Sequence, residues 1–141
     1  MTAMRARRRR FLPAPFEPAP AAASDLPLFA GVGLGEAGFV ARLLERPVAP
    51  EPAELLDFLR VEPAGFGSPV LLAAPGERSS GLLYRRLTPE DWRRLDAYQG
   101  VGEGLYFRDL ARAVAPGASA EPAESAWVYL PTERTVARFA R

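Results

Sequence analysis

The chain has 141 residues, enough for one domain with a hydrophobic core and too few for two. Apolar residues make up 48% of it, which excludes a chain that is disordered as a whole, and a net charge of +1 gives no global attraction to nucleic acid or an acidic partner. It contains no Cys and no His, which removes thiol nucleophiles, imidazole bases and thiolate metal sites, so any catalysis rests on Asp, Glu, Tyr, Ser, Arg or backbone groups.

Residues 1–24 begin with a run of arginines and continue with recurring prolines, which remove backbone donors and restrict their predecessors. A flexible tail is expected there, with a single domain over 25–141. Arg8 to Leu12 fits a twin-arginine export pattern. However, Glu17 and the prolines interrupt the continuous apolar segment that an export signal needs, so a cytoplasmic protein is expected. No apolar run reaches the length of a membrane span. Every basic residue is Arg, which together with abundant Ala and Pro reads as the base composition of a GC-rich, bacterial genome.

Asp25 to Ala30 reads as a first strand, followed by a glycine-rich turn at Gly31, Val32, Gly33 and Leu34. Glu36 to Arg46 then has helical periodicity through Phe39, Leu43 and Leu44. A strand, a glycine turn and a helix start bring free N–H groups together, which suits a bound anion; a plain tight turn is the competing reading. Ala49 to Glu62 has Leu55, Leu56 and Leu59 on one side of a helix, yet is also short enough for a strand. Val70 to Ala74 reads as a short buried strand, Pro75–Gly76 as a turn, and Gly81 to Leu87 as another strand.

Thr88 sits where a helix N-cap belongs, with Pro89 at the first helical position and Glu90 and Asp91 at the positive end of the dipole. The helix is predicted to run through Gln99 and stop at Gly100. Trp92, Leu95, Asp96 and Gln99 share one face. Gln99 is therefore an amide at the inward end of a mostly apolar stripe, and either the fold or a ligand must supply its hydrogen-bond partners. Tyr106 to Val114 alternates as a strand with Tyr106 and Arg108 on one face, Ser125 to Leu130 is a further strand, and Glu133 to Arg141 is a short terminal helix. Trp92, Trp127, Tyr84 and Tyr129 read as core aromatics.

Gly81, Leu83, Tyr84, Leu87 and Thr88, then Leu95, Asp96 and Tyr98, then Gly100, Tyr106 and Arg108 form a pattern that resembles the central signature of gamma-glutamylcyclotransferase-like proteins of the avirulence-induced-gene type. The resemblance favours a strand over 53–61. It implies an α+β single domain, in which a curved, mostly antiparallel sheet of about five to six strands approaches a barrel and carries two or three helices. It also implies a reaction that needs no cofactor and no metal. The α-amine of a γ-glutamyl group attacks its own γ-carbonyl, releasing 5-oxoproline and an amine, while a glutamate moves the proton.

That glutamate's position is Gln99 in this sequence. Gly31, Val32, Gly33 and Leu34 fall on the loop whose amides hold substrate, although the family's Tyr is absent. Tyr106 and Arg108 are candidates for the pocket rim, where Arg would suit a substrate carboxylate; strand packing and an ion pair are the alternative. Glu36 and Glu103 are the nearest replacement carboxylates, unless they are solvated surface charges. Three readings of Gln99 stand: a divergent enzyme of this type, a pseudoenzyme that binds a small ligand, and a structural amide. The first leads, because loop, helix and Tyr106 remain recognisable. The expected partner is a small molecule with an amino-acyl or γ-glutamyl group, held between the turn at 31–35 and Gln99. Nucleic acid is not expected, and the oligomeric state is left open.

Overall fold

A computed structural model describes residues 25–31, 36–65 and 69–139. The chain forms β1 (Leu28–Ala30), α1 (Ala37–Leu44), β2 (Glu51–Val61), β3 (Val70–Tyr84), α2 (Pro89–Gln99), β4 (Tyr106–Val114), β5 (Glu124–Pro131) and α3 (Glu133–Phe139). The five strands close into a barrel in the order β1-β3-β2-β4-β5. All neighbours are antiparallel except β1 and β5, which run parallel where Leu28 meets Trp127. The ambiguous segment is thus a strand. It pairs with β3 along nearly its whole length, so the leucines are set by strand alternation and not by a helical stripe.

Two apolar clusters divide the core. Phe29, Leu55, Phe58, Phe107, Val128 and Leu130 fill the barrel. Leu28, Val40, Leu44, Trp92, Leu95 and Trp127 lie where α1 and α2 cover it. Strand β5 shows how one sequence serves both: Ala126, Val128 and Leu130 point inward while Trp127 and Tyr129 point to the helices. Its six consecutive buried residues follow from a sheet covered on both faces. Each such Leu, Val or Phe contributes roughly 1.5–3 kcal/mol of burial.

Two boundaries differ from the sequence expectation. The separate strands expected at 70–74 and 81–87 are one strand, β3, which ends at Tyr84. The Pro75–Gly76 turn lies inside it as a bulge, since Leu56 pairs with Arg78 while Phe58 already pairs with Ala73. Asp57 opposes the extra residues with a left-handed φ of 70°, and its Oδ1 accepts the Gly76 N–H at 2.9 Å. The end at Tyr84 follows from Arg86, whose φ of 58° turns the chain toward α2.

Helix α2 starts as its sequence dictates. Thr88 Oγ1 accepts the Asp91 N–H at 3.0 Å, and Asp91 accepts the Thr88 N–H at 2.9 Å, closing a capping box. It ends at Gly100 in a left-handed conformation.

Candidate functional site

Glycine sets how closely β3 approaches the end of β1. A Cβ on Gly81 would lie 2.7 Å from the Ala30 carbonyl oxygen and 2.9 Å from Gly31 Cα. Only glycine permits this approach of β3 to β1, and this is the physical reason for glycine at the head of the central stretch. Of the turn residues, Gly31 is described; Val32, Gly33 and Leu34 lie outside the described residues, as do the N-terminal tail and its export motif.

The two helices are tied where α1 ends and α2 begins. Arg46 reaches Asp91 with Nη2 at 2.5 Å and Nε at 3.3 Å, and Arg94 adds an ion pair to Glu45 at 3.0 Å. Burial alone would push the Asp91 carboxyl up. The Arg46 guanidinium and the Thr88 hydrogen bonds outweigh it and hold the group below the usual carboxylate range.

One turn further along α2, Asp96 organises a polar cluster against the sheet. Arg108 from β4 grips it through Nε at 3.1 Å and Nη2 at 3.2 Å, and the Tyr129 hydroxyl from β5 donates to Oδ1 at 2.6 Å. The Arg108 guanidinium lies 4.4 Å from the Trp92 ring centroid and 5.3 Å from that of Trp127. Burial, and then the Asp96 charge, pushes the Tyr129 phenol far above its ordinary range, so it stays protonated and keeps donating. Arg108 is therefore held by a protein carboxylate. Sequence reading had put Asp96 on the inward stripe but had not paired it with Arg108 and Tyr129. The available signal was a carboxylate on an apolar stripe facing a strand that carries Arg.

Gln99 is the last residue of α2 and is partly buried. Its side chain has no hydrogen-bond partner among the described residues. Gln99 closes α2 and Tyr106 opens β4, and the Asp96–Arg108 ion pair ties those two elements together. Tyr106 is partly buried, and burial, then the neighbouring Tyr98, pushes its phenol up. Phe39, near the start of α1, contacts Tyr98 with ring centroids 5.0 Å apart. The loop after Gln99 is anchored from α3, where the Thr135 hydroxyl donates to the Leu105 carbonyl at 2.7 Å, while Thr132 just before the helix donates to the Gly104 carbonyl at 2.6 Å.

The two candidate carboxylates lie on the surface. Glu36 is exposed at the N-cap of α1 and makes no side-chain cap. Glu103 is exposed on the loop, where its backbone carbonyl accepts a hydrogen bond from Arg134. Among the described residues no group of three Asp, Glu, His or Cys is arranged to hold a metal ion, and no helix is long and apolar enough to cross a membrane. A separate cleft of about 230 Å³ is lined by Arg46, Glu51, Tyr84, Arg85 and Arg86. Two of its arginines are already engaged, Arg46 by Asp91 and Arg85 by Glu51 and Glu124.

Solved structures share this fold at low sequence identity. One Arabidopsis thaliana protein matches with a TM-score of 0.65 and 18% identity over 77% of this chain and 70% of its own. A second matches at 0.66 and 16%, over 82% and 67%. A gamma-glutamyl cyclotransferase matches at 0.61 and 18%, over 76% and 66%. No curated protein matches by sequence. The family model described as gamma-glutamyl cyclotransferase, AIG2-like, matches residues 34–139, which is most of the chain and spans α1, α2 and all the strands except β1. The chain belongs to the gamma-glutamyl cyclotransferase, AIG2-like family.

Proposed function

We propose that this protein is a divergent cyclotransferase acting on a γ-glutamyl or related amino-acyl amide, with Gln99 in the position of the general base. The observation that carries the reading is a partly buried amide that ends α2 and has no hydrogen-bond partner among the described residues. A structural amide enclosed in the core would be hydrogen-bonded by the fold.

In the reaction the α-amine nitrogen bonds to the γ-carbonyl carbon and the bond from that carbon to the leaving nitrogen breaks. The proton lost by the attacking nitrogen ends on the leaving nitrogen. Gln99 Oε1 accepts a hydrogen bond from the attacking amine and orients it, but the amide cannot take the proton. The proton passes through solvent, at a cost of about 10²–10⁴-fold in rate against a carboxylate. The Gly31–Leu34 turn would hold the developing oxyanion through backbone N–H groups. Asp96 and Arg108 are positioning residues that lock α2, and Gln99 at its end, to β4. Glu36 and Glu103 are exposed and are given no proton in this reaction.

A second reading, a non-catalytic binder of the same ligands, rests on the same amide. Titration with 5-oxoproline and a soaked crystal test both. The ligand is expected against Gln99 and the 31–34 turn, and its absence there at saturating concentration would reject the site.

A further inference from the structure

We infer that the cleft between the α1–β2 and β3–α2 connections binds a phosphate group, with Arg86 as its principal contact. The inference is independent of the Gln99 reading, because the length of α2, about 15 Å, separates the two places. Arg86 and Leu87 come just before the Thr88 cap of α2, whereas Gln99 ends that helix.

Two ion-pair systems build the walls of the cleft. Arg46, on the first connection, spends its Nε and Nη2 on Asp91 of α2. Arg85 is gripped by Glu51 of β2 at 2.8 Å and by Glu124 of β5 at 2.8 Å. Arg86 is different. It is exposed and lines the same cleft, yet its side chain makes no hydrogen bond or ion pair among the described residues. All five of its N–H donors are therefore available. Glu51, the carboxylate in the lining, feels the Arg86 charge but is held in contact by Arg85.

The backbone adds a second observation. Arg86 has a φ of 58°, a left-handed conformation that glycine or asparagine adopts at lower cost. The turn from β3 into α2 needs that conformation but not a guanidinium. Strain of this kind collects where a side chain has another task, ligand clamps among them. The helix N-terminus is not itself the site, since Thr88 and Asp91 already close its capping box.

Size and lining define the ligand. The volume of about 230 Å³ lies below the roughly 300–1,000 Å³ of pockets for drug-sized molecules, so it suits a phosphate with a small organic body. Val48, Ala49 and Leu87 supply an apolar wall for that body. A carboxylate is saturated by one guanidinium fork. A phosphate monoester has three terminal oxygens, enough for Arg86 and for the donors that Arg46 has left.

The test is calorimetric titration of the full chain at neutral pH and constant ionic strength, with phenyl phosphate, inorganic phosphate and acetate as probes. Phosphate is expected to bind, and acetate to bind about tenfold more weakly. Tighter binding of phenyl phosphate than of inorganic phosphate assigns the site to an ester, and equal binding assigns it to the free ion. Arg86→Gly and Arg86→Gln should each weaken phosphate binding by roughly tenfold or more. Glycine suits the left-handed backbone, so the first of these variants keeps the fold. Arg60→Gln, at an exposed arginine of β2 outside the cleft, should leave binding unchanged. No binding of either phosphate, acetate as tight as phosphate, or wild-type affinity in the Arg86 variants overturns the site. A loss in Arg60→Gln as large as that in Arg86→Gly also overturns it, by showing only general attraction to surface arginines.

Discussion

At the scale of single residues, the proposed reaction turns on Gln99, an amide at the position proposed for the general base. Without a base of tuned pKa, the rate of cyclisation follows the neutral fraction of the substrate's own amine. Wild-type turnover should rise with pH through the titration of that amine and level off only in the alkaline range above it. A rate profile that levels off near pH 6 would mean that another protein group moves the proton. Asp96 is not a candidate for that group, because both its oxygens are held by Arg108 and Tyr129. Its role is to hold position. Arg108→Met should cost about 1–3 kcal/mol in urea unfolding, since it strands a partly buried carboxylate and a cation-stacked pair of tryptophans. A loss below 0.3 kcal/mol, on the order of measurement scatter, would show the cluster to be solvated instead.

At the scale of elements, α2 carries both the stability and the address of the site. Its N-terminus is fixed by the Thr88–Asp91 capping box, and Thr88→Ala should cost about 1 kcal/mol. Asp91 adds a pH dependence whose sign is set by its depressed pKa. Such a carboxylate stabilises the fold above its unfolded pKa near 4, and that contribution is lost as pH falls through the folded value. Asp91→Asn should therefore be less stable than wild type at pH 7, with the gap closing in acid below about pH 4. Equal acid sensitivity of the two proteins, read by circular dichroism, would remove Asp91 from the account. Between β1 and β3, Gly81→Ala should be severely destabilising, because the added carbon meets backbone atoms that cannot retreat.

At the scale of the whole molecule, what could be read from the sequence was whatever depended on local chemistry. The Thr88 cap, the Gly100 stop and the Trp92–Gln99 stripe all follow from side chains close in sequence, and α2 runs as they dictate. Barrel closure rested on the family signature, since pairing β1 with both β3 and β5 joins residues far apart in the chain. The bulge at 74–77 was misread as a turn between strands because Pro75–Gly76 signals a chain reversal equally well in either setting. The Asp96–Arg108–Tyr129 cluster was half visible, as a stripe on one element facing residues on two others that no periodicity links. Gln99 was legible as a departure from a pattern, whereas the ring contact of its neighbour Tyr98 with Phe39 joins two helices that no periodicity links.

The central claim is that the missing carboxylate limits an otherwise assembled site. The most direct measurement is 5-oxoproline release from a γ-glutamyl amide by wild type and by Gln99→Glu under the same conditions. The account predicts slow release by wild type and a gain of about 10²-fold or more in Gln99→Glu. Wild-type turnover already as fast as that of the variant, or a Gln99→Glu protein that folds, binds 5-oxoproline and gains nothing, would contradict it.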